Sequence, residues 1–411
     1  MALSSSVLLR SICPKSIAGS SSNYCLFFKW SARSGASWFN RRGVSTATAK
    51  TASKAIQNQH SPPWLMLPPE SEGGTTSYKF YSLTENKVQT CSPSDVIGNL
   101  RLTCRGSSHG WLALLSQHDD VLNLPTLPYV NILSSATYVN KVILSCSPDE
   151  DEENCRVVVL RDCGNPMAFC CPGRSKDWTL MLDENTDDKR YYVDCVLSTT
   201  RQNLFFGLTC SVQLEIWDLG DLSSPKLIKY DYVEMENYDR LSSLERSATI
   251  LLGKVNHLLL VKEDLLMVFQ KVMEWVGPDG SCFNQYSPNK YRRMTIDFDI
   301  WKYYPEEEKF RCLDSSSLGG LAIFLGLHSH SVAIQASEFP EVKPGSFYFT
   351  DGYYTGRLGG DDDVLCRGGH DIGIFNFQNK TVSPCYYYPC DVPSLKNILP
   401  APIWFFPSRT N

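Results

Sequence analysis

From Trp64 to its end this sequence is cut by Gly, Pro, Asn and Asp into short apolar or alternating segments, a cadence that restricts it to β structure. Residues 141–145, 156–160, 192–197, 213–217, 257–261 and 265–269 read as strands. The clearest is 294–300, with Met294, Ile296, Phe298 and Ile300 on one face and Thr295, Asp297 and Asp299 on the other, the pattern of a half-buried strand. Residues 302–309 then supply a turn before 310–313, consistent with a hairpin. The stretch 258–276 suits a helix by its apolar spacing, but Lys262-Glu263-Asp264 can also turn a hairpin, which is the favoured reading. Residues 277–292 read as a long loop, and the acidic 233–247 as room for a short helix.

No strand and helix alternation and no Gly-rich nucleotide fingerprint is present, so the architecture is a pair of sandwiches or a propeller. Trp217, Trp301 and Phe375 lie 84 and 74 positions apart, each close to twice a propeller blade of roughly 40 to 50 residues. By that measure the body holds six to eight blades. The double glycines at 319, 359 and 368 lack the Tyr and Trp of regular kelch repeats.

Charge divides the 411 residues in two. All 44 acidic side chains lie from Glu70 onward, whereas the first 60 residues carry Arg10, Lys15, Lys29, Arg33, Arg41, Arg42, Lys50 and Lys54 with many serines. That is the composition of an organellar transit peptide. No secretory core fits, because Val7 to Leu9 is cut by Arg10 and Leu26 to Phe28 by Lys29. The run Arg41-Arg42-Gly43-Val44-Ser45 resembles a presequence end, which places cleavage at residues 42–46. The segment is expected to be a disordered mitochondrial leader over 1–44, with chloroplast or dual import as the alternative and a basic nuclear tail as the plainer one. A linker over 45–62 and a propeller over 63–406 follow. The body left after cleavage is acidic, which disfavours non-specific nucleic-acid binding. The least charged stretch, 315–337, is too rich in Gly, Ser and His for a membrane span.

Chemistry has few candidates. Sixteen cysteines in a large chain with no secretory signal read as reduced, mostly buried thiols. Cys163 with Cys170-Cys171, and Cys385 with Cys390, are the nearest groupings, but zinc needs four compact ligands and no C-x-x-C occurs. His328-Ser329-His330 reads as a turn with exposed imidazoles. His109 beside Gly110-Trp111 reads as part of a strand with Trp111 in the core. Asp361-Asp362-Asp363 reads as a solvated loop, and Arg367 with Gly368-Gly369-His370-Asp371 as a turn into a strand, although such a run can cradle an anion. Asn379-Lys380-Thr381 matches a glycosylation acceptor that an organellar address would keep from that machinery. No catalytic, cofactor-binding or metal-binding residue is assigned.

Several segments in order resemble a plant family, the F-box-associated domain of unknown function with a kelch-like, KIB-type β-propeller. They are Pro63-Trp64-Leu65-Met66-Leu67, Ser108-His109-Gly110-Trp111-Leu112, Asn123-Leu124-Pro125-Thr126, Thr295-Ile296-Asp297-Phe298-Asp299-Ile300-Trp301, Ala322-Ile323-Phe324-Leu325-Gly326, Glu338-Phe339-Pro340, Tyr348-Phe349-Thr350-Asp351 and Pro402-Ile403-Trp404. The resemblance implies an all-β propeller over nearly the whole mature chain. Many relatives carry an F-box that docks to a ubiquitin-ligase adaptor. Here the cationic segment occupies that place, as in the organelle-targeted branch lacking the F-box. The expected function is an imported, non-enzymatic propeller that binds an unknown protein partner and meets the import machinery, with a ubiquitin-ligase substrate receptor as the alternative.

Overall fold

The computed structural model describes residues 9–11, 25–29, 63–72, 75–91, 102–116, 139–232, 252–276, 292–350, 371–385 and 401–407, less 149, 152, 162–166, 173, 176–177, 183–190, 199, 202 and 327–328. Within them the short apolar segments become strands. The first are β1 (Leu9–Ser11), β2 (Cys25–Lys29), β3 (Trp64–Glu72), β4 (Thr75–Ser82) and β5 (Lys87–Cys91). Next are β6 (Leu102–Ser108), β7 (Trp111–Ser116), β8 (Val139–Leu144), β9 (Val157–Arg161), β10 (Ala168–Cys170) and β11 (Thr179–Leu180). The middle of the chain forms β12 (Tyr192–Leu197), β13 (Leu204–Thr209), β14 (Gln213–Asp218) and β15 (Lys226–Tyr232). Three longer strands follow, β16 (Leu252–Val261), β17 (Asp264–Val276) and β18 (Arg292–Tyr304), and then the short β19 (Lys309–Leu313). Last come β20 (Leu321–Leu325), β21 (Val332–Gln335), β22 (Ser346–Phe349), β23 (Gly373–Asn376), β24 (Thr381–Pro384) and β25 (Ile403–Phe405).

Five sheets come wholly from the body, in the orders β11-β10-β9-β8, β12-β13-β14-β15, β16-β17-β18-β19, β21-β20-β22-β23-β24 and β25-β3-β4-β5. Among the described residues the body thus holds five complete blades, which corrects the expected six to eight. The repeat spacing misled because Trp217, Trp301 and Phe375 sit in β14, β18 and β23, the next-to-outermost strands of consecutive sheets. Each interval spans one blade, lengthened by strands such as β17 and β18 at 13 residues each. The β6–β7 hairpin forms a further sheet with β2 and β1, where Cys25 faces Leu115 and Leu9 faces Phe28. These two short strands are the described residues of the segment expected to be a leader, 1–44.

The sheets form a closed ring, since every core cluster joins two neighbours. Trp111 and Ala113 pack with Val142 and Val157, and Phe169 and Leu160 with Phe205 and Trp217. Leu214 meets Met267, Phe298 stacks on Phe347 with centroids 4.6 Å apart, and Phe324 meets Trp404 edge-on at 5.0 Å. The ring is shut by β25, which pairs with β3 so that the two ends of the body share one sheet. At the inner edge β6 touches β8 so closely that a Cβ on Gly106 would lie 2.1 Å from the Val142 carbonyl oxygen. Only glycine fits there.

The favoured hairpin over 258–276 is present, with Val261 facing Asp264 across a two-residue turn and Lys262 at φ 58°. The expected facing of 294–300 holds only in part. Phe298 and Ile300 are buried, but Met294 is exposed and Thr295 buried. The cause is a bulge: Lys271 faces Asp297 and Val272 faces Thr295, leaving Ile296 as an extra residue. One inserted residue reverses every facing beyond it, which carries the Thr295 hydroxyl inward.

Candidate functional site

Polar side chains on the inner strands join one blade to the next. Lys141 on β8 is 1% exposed, and its ammonium donates to Asp194 Oδ1 on β12 at 2.5 Å. Asp194 also accepts from the Cys195 amide at Oδ1 and the Leu258 amide of β16 at Oδ2, both at 2.8 Å. One carboxylate thus satisfies three donors from three strands, the condition under which a buried charge is tolerated.

His257, beside Leu258, extends the seam. Its Nε2 lies 3.1 Å from Gln270 Oε1, so this nitrogen carries the proton that the amide oxygen accepts. Gln270 Nε2 donates to Thr295 Oγ1 at 2.6 Å, and the Thr295 hydroxyl and amide both donate to Asp371 Oδ2, at 2.5 and 2.7 Å. Burial pushes the His257 pKa down, against the opposing charge of Asp194, so the imidazole is neutral near pH 7. The chain of groups runs from β8 to Asp371, just ahead of β23, and spans four blades.

A second polar group sits where β6 ends. His109 and Gly110 form the two-residue turn to β7, with φ of 50° and 78°. The His109 ring meets His330 edge-on at 6.0 Å, and Ser108 Oγ lies 3.5 Å from His330 Nδ1. The His330 amide donates to the Ser107 carbonyl at 3.0 Å, so the loop between β20 and β21 reaches to β6. Both imidazoles are half-buried. Two such rings with hydroxyl neighbours offer hydrogen bonds to a surface ligand. Among the described residues no group of three or more His, Cys, Asp and Glu is placed to hold a metal ion.

Of the residues singled out in the sequence, Trp111 is 1% exposed and its Nε1 donates to Ser147 Oγ at 3.2 Å, as expected of a core residue. His330, expected to be exposed in a turn, is instead half-buried against His109. Asp371 lies just ahead of β23, where the expected turn leads into a strand, and accepts from Thr295. Asn379 shapes the β23–β24 turn by accepting from the Thr381 amide and hydroxyl, at 3.2 and 2.5 Å. Cys170 and Cys171 are buried, and burial pushes the Cys385 thiol up to about 12. Arg41, Arg42, Gly43, Val44, Ser45, Cys163, His328, Asp361, Asp362, Asp363, Arg367, Gly368, Gly369, His370 and Cys390 lie outside the described residues. Lys141, Asp194, His257 and Gln270 drew no notice as site residues. Their signal was a lone polar residue inside an apolar run, as in Val193-Asp194-Cys195-Val196.

No curated protein matches the chain. Solved structures similar to it include a protein from Lactobacillus plantarum, 9% identical, covering 84% of this chain and 99% of that one with a TM-score of 0.36. The Cps50 (Swd1) β-propeller domain of Myceliophteria thermophila is 9% identical over 75% of this chain and 80% of its own, at 0.28. AztD of Citrobacter koseri is 9% identical over 60% of this chain at 0.24, and the match spans only 45% of that protein. The KIB1-4 beta-propeller family, in contrast, matches residues 80–376. With that match covering well over half of the sequence and a closed ring of sheets beneath it, the chain belongs to the KIB1-4 beta-propeller family.

Proposed function

We propose that this propeller is a non-enzymatic protein-interaction scaffold that works inside an organelle, the mitochondrion first. The observation that carries the scaffold reading is the use of its buried ionisable side chains. Lys141 and Asp194 are occupied in holding blades together, and His257 is held neutral within the same seam. A propeller whose interior polar groups are spent on its own frame has its mouth and loops left for recognition. Among the described loops, the half-buried pair His109 and His330 is the part we assign to recognition.

The organellar address rests on the acid-free, Arg-containing leader and on Arg41-Arg42-Gly43-Val44-Ser45 as its processing region. Cleavage there would sever β1 and β2 and leave the five body blades with the β6–β7 hairpin. Residues 1–60 fused to a fluorescent reporter should enter mitochondria in plant cells, and a diffuse cytosolic signal would sink the address. For the scaffold, proximity labelling by the organellar protein should mark a constant set of neighbours that His109→Ala with His330→Ala disperses. Turnover of a small-molecule substrate by the purified body would instead restore an enzymatic reading.

A further inference from the structure

The hairpin formed by β8 and β9 ends on two cysteines. Leu144 faces Val157 in the last ladder pair, and the Ser145 amide donates to the Arg156 carbonyl at 2.9 Å. The ladder ends at Leu144–Val157, and extending its register by two residues sets Cys146 against Cys155, one step beyond the Ser145–Arg156 bond. Facing residues at such a non-hydrogen-bonded position have Cα atoms about 4.5 Å apart. A disulfide spans about 4.4 to 6.8 Å between Cα atoms, a range that includes that spacing. Both side chains point to the same face, into the cluster of Leu144 and Val157. Cys155 Sγ already approaches the Cys146 carbonyl at 3.4 Å. Described residues of the loop between them are tied down, with the Cys155 amide donating to the Asp151 carbonyl at 2.9 Å and Trp111 Nε1 donating to Ser147 Oγ.

We propose that Cys146 and Cys155 are a peroxide-reactive dithiol that closes reversibly to a cross-strand disulfide. The two thiols have unequal roles. Cys146 is 8% exposed and Cys155 is 1%, so a small oxidant meets Cys146 first. The neighbouring Cys155 thiol holds Cys146 below the ordinary thiol range, against burial and the charges of Asp151 and Glu150, while Cys155 itself is pushed up. The more accessible Cys146 is therefore the sulfur that the oxidant meets and Cys155 the resolving thiol. In the first step the Cys146 sulfur attacks one oxygen of hydrogen peroxide. The O–O bond breaks, the sulfur loses two electrons to become a sulfenic acid, and the second oxygen leaves as hydroxide. The Cys155 sulfur then attacks the Cys146 sulfur, the S–S bond forms, and the S–O bond breaks. The departing hydroxide and the earlier one take up the thiol protons, which gives one disulfide and two waters per peroxide. A thiol reductant reverses the closure by exchange.

The test treats the reduced full-length chain with hydrogen peroxide, alkylates the remaining thiols and digests with trypsin. Residues 142–156 form one tryptic peptide that contains both cysteines. The expected product is that peptide two hydrogens lighter and without alkyl groups, returning to two alkyl groups after reduction. The exposed Cys210 and Cys312 report that oxidant was present. Cys155→Ser should leave a Cys146 sulfenic acid that a dimedone probe traps, Cys146→Ser should abolish the reaction, and Cys171→Ser should leave it intact. Circular dichroism shows whether each variant keeps its β spectrum. The idea is overturned if the peptide keeps two alkyl groups while Cys210 or Cys312 is oxidised, or if Cys155 cross-links to Cys171 instead.

Discussion

Lys141 Nζ and Asp194 Oδ1 lie 2.5 Å apart on the inner strands of adjacent blades, with side chains only 1% and 4% exposed. A pair so deeply buried has lost the hydration of both ions. Its attraction, and the amides of Cys195 and Leu258 on the same carboxylate, offset that loss. Removing one partner leaves the other charge buried alone. Asp194→Ala should therefore cost about 3 to 5 kcal/mol, read as a lower urea midpoint. Lys141→Met combined with Asp194→Asn should be more stable than Lys141→Met alone, because no charge is then left behind. A cost below about 1 kcal/mol for Asp194→Ala, the value of an exposed pair, would refute the role given to it here.

His257 makes stability depend on pH. Burial holds its folded pKa below the ordinary 6.5, with the Asp194 charge opposing and the Lys141 charge assisting. At pH above 6.5 neither state binds the proton, and the full contribution of the neutral imidazole is present. As pH falls through 6.5 the unfolded chain takes up a proton that the folded chain refuses, and stability drops until the folded pKa is reached. The slope due to this residue is at most about 1.4 kcal/mol per pH unit. Urea midpoints between pH 7 and 5 should fall more steeply for the native protein than for His257→Gln. Parallel curves would show that the folded protein takes up the proton as readily as the unfolded chain, and that burial does not lower the His257 pKa.

Much of the fold was legible because alternation survives wherever a strand is regular. The strand 192–197 was readable from residue type, and the Lys262-Glu263 turn as the favoured of two readings. Three features were not. The bulge at Ile296 leaves the local pattern of apolar residues unchanged while reversing the facing of Met294 and Thr295. The interval from Trp217 to Trp301 cannot reveal whether one long blade or two short ones lie between. Asp194 shows as a polar intrusion in its strand, but its partner Lys141 is 53 residues away and only the ring brings them together. Hydrogen bonds between distant strands leave no periodic trace.

Gly106 and Gly345 separate two reasons for a glycine. A Cβ at Gly106 would meet the Val142 carbonyl oxygen at 2.1 Å, a backbone atom held by the β8–β9 ladder. Gly345 has φ of 63° but open space around it. Gly345→Ala should cost only the left-handed strain, about 1 to 2 kcal/mol. Gly106→Ala should cost about 4 kcal/mol or more, or abolish soluble expression, because β6 and β8 must part. Thermal melts of the two variants under one buffer compare them directly, and equal losses would mean that the inner strands separate more easily than their packing implies.

Asp371 tests whether the polar seam reaches the blade that contains β23. Its Oδ2 accepts both the hydroxyl and the amide of Thr295, which the Ile296 bulge has turned inward. Hydrogen bonds to a charged acceptor contribute about 1.5 to 3 kcal/mol, and a buried donor left without its acceptor costs about 1 to 3 kcal/mol. Asp371→Ala should fall in that range by urea denaturation. Asp371→Asn should cost less, since an amide oxygen can accept the same two donors. Thr295→Val keeps the volume but removes the hydroxyl from both Asp371 and Gln270, so it should cost at least as much as Asp371→Asn. If Asp371→Ala and Thr295→Val are simply additive when combined, the two residues are not coupled and the seam ends at β18.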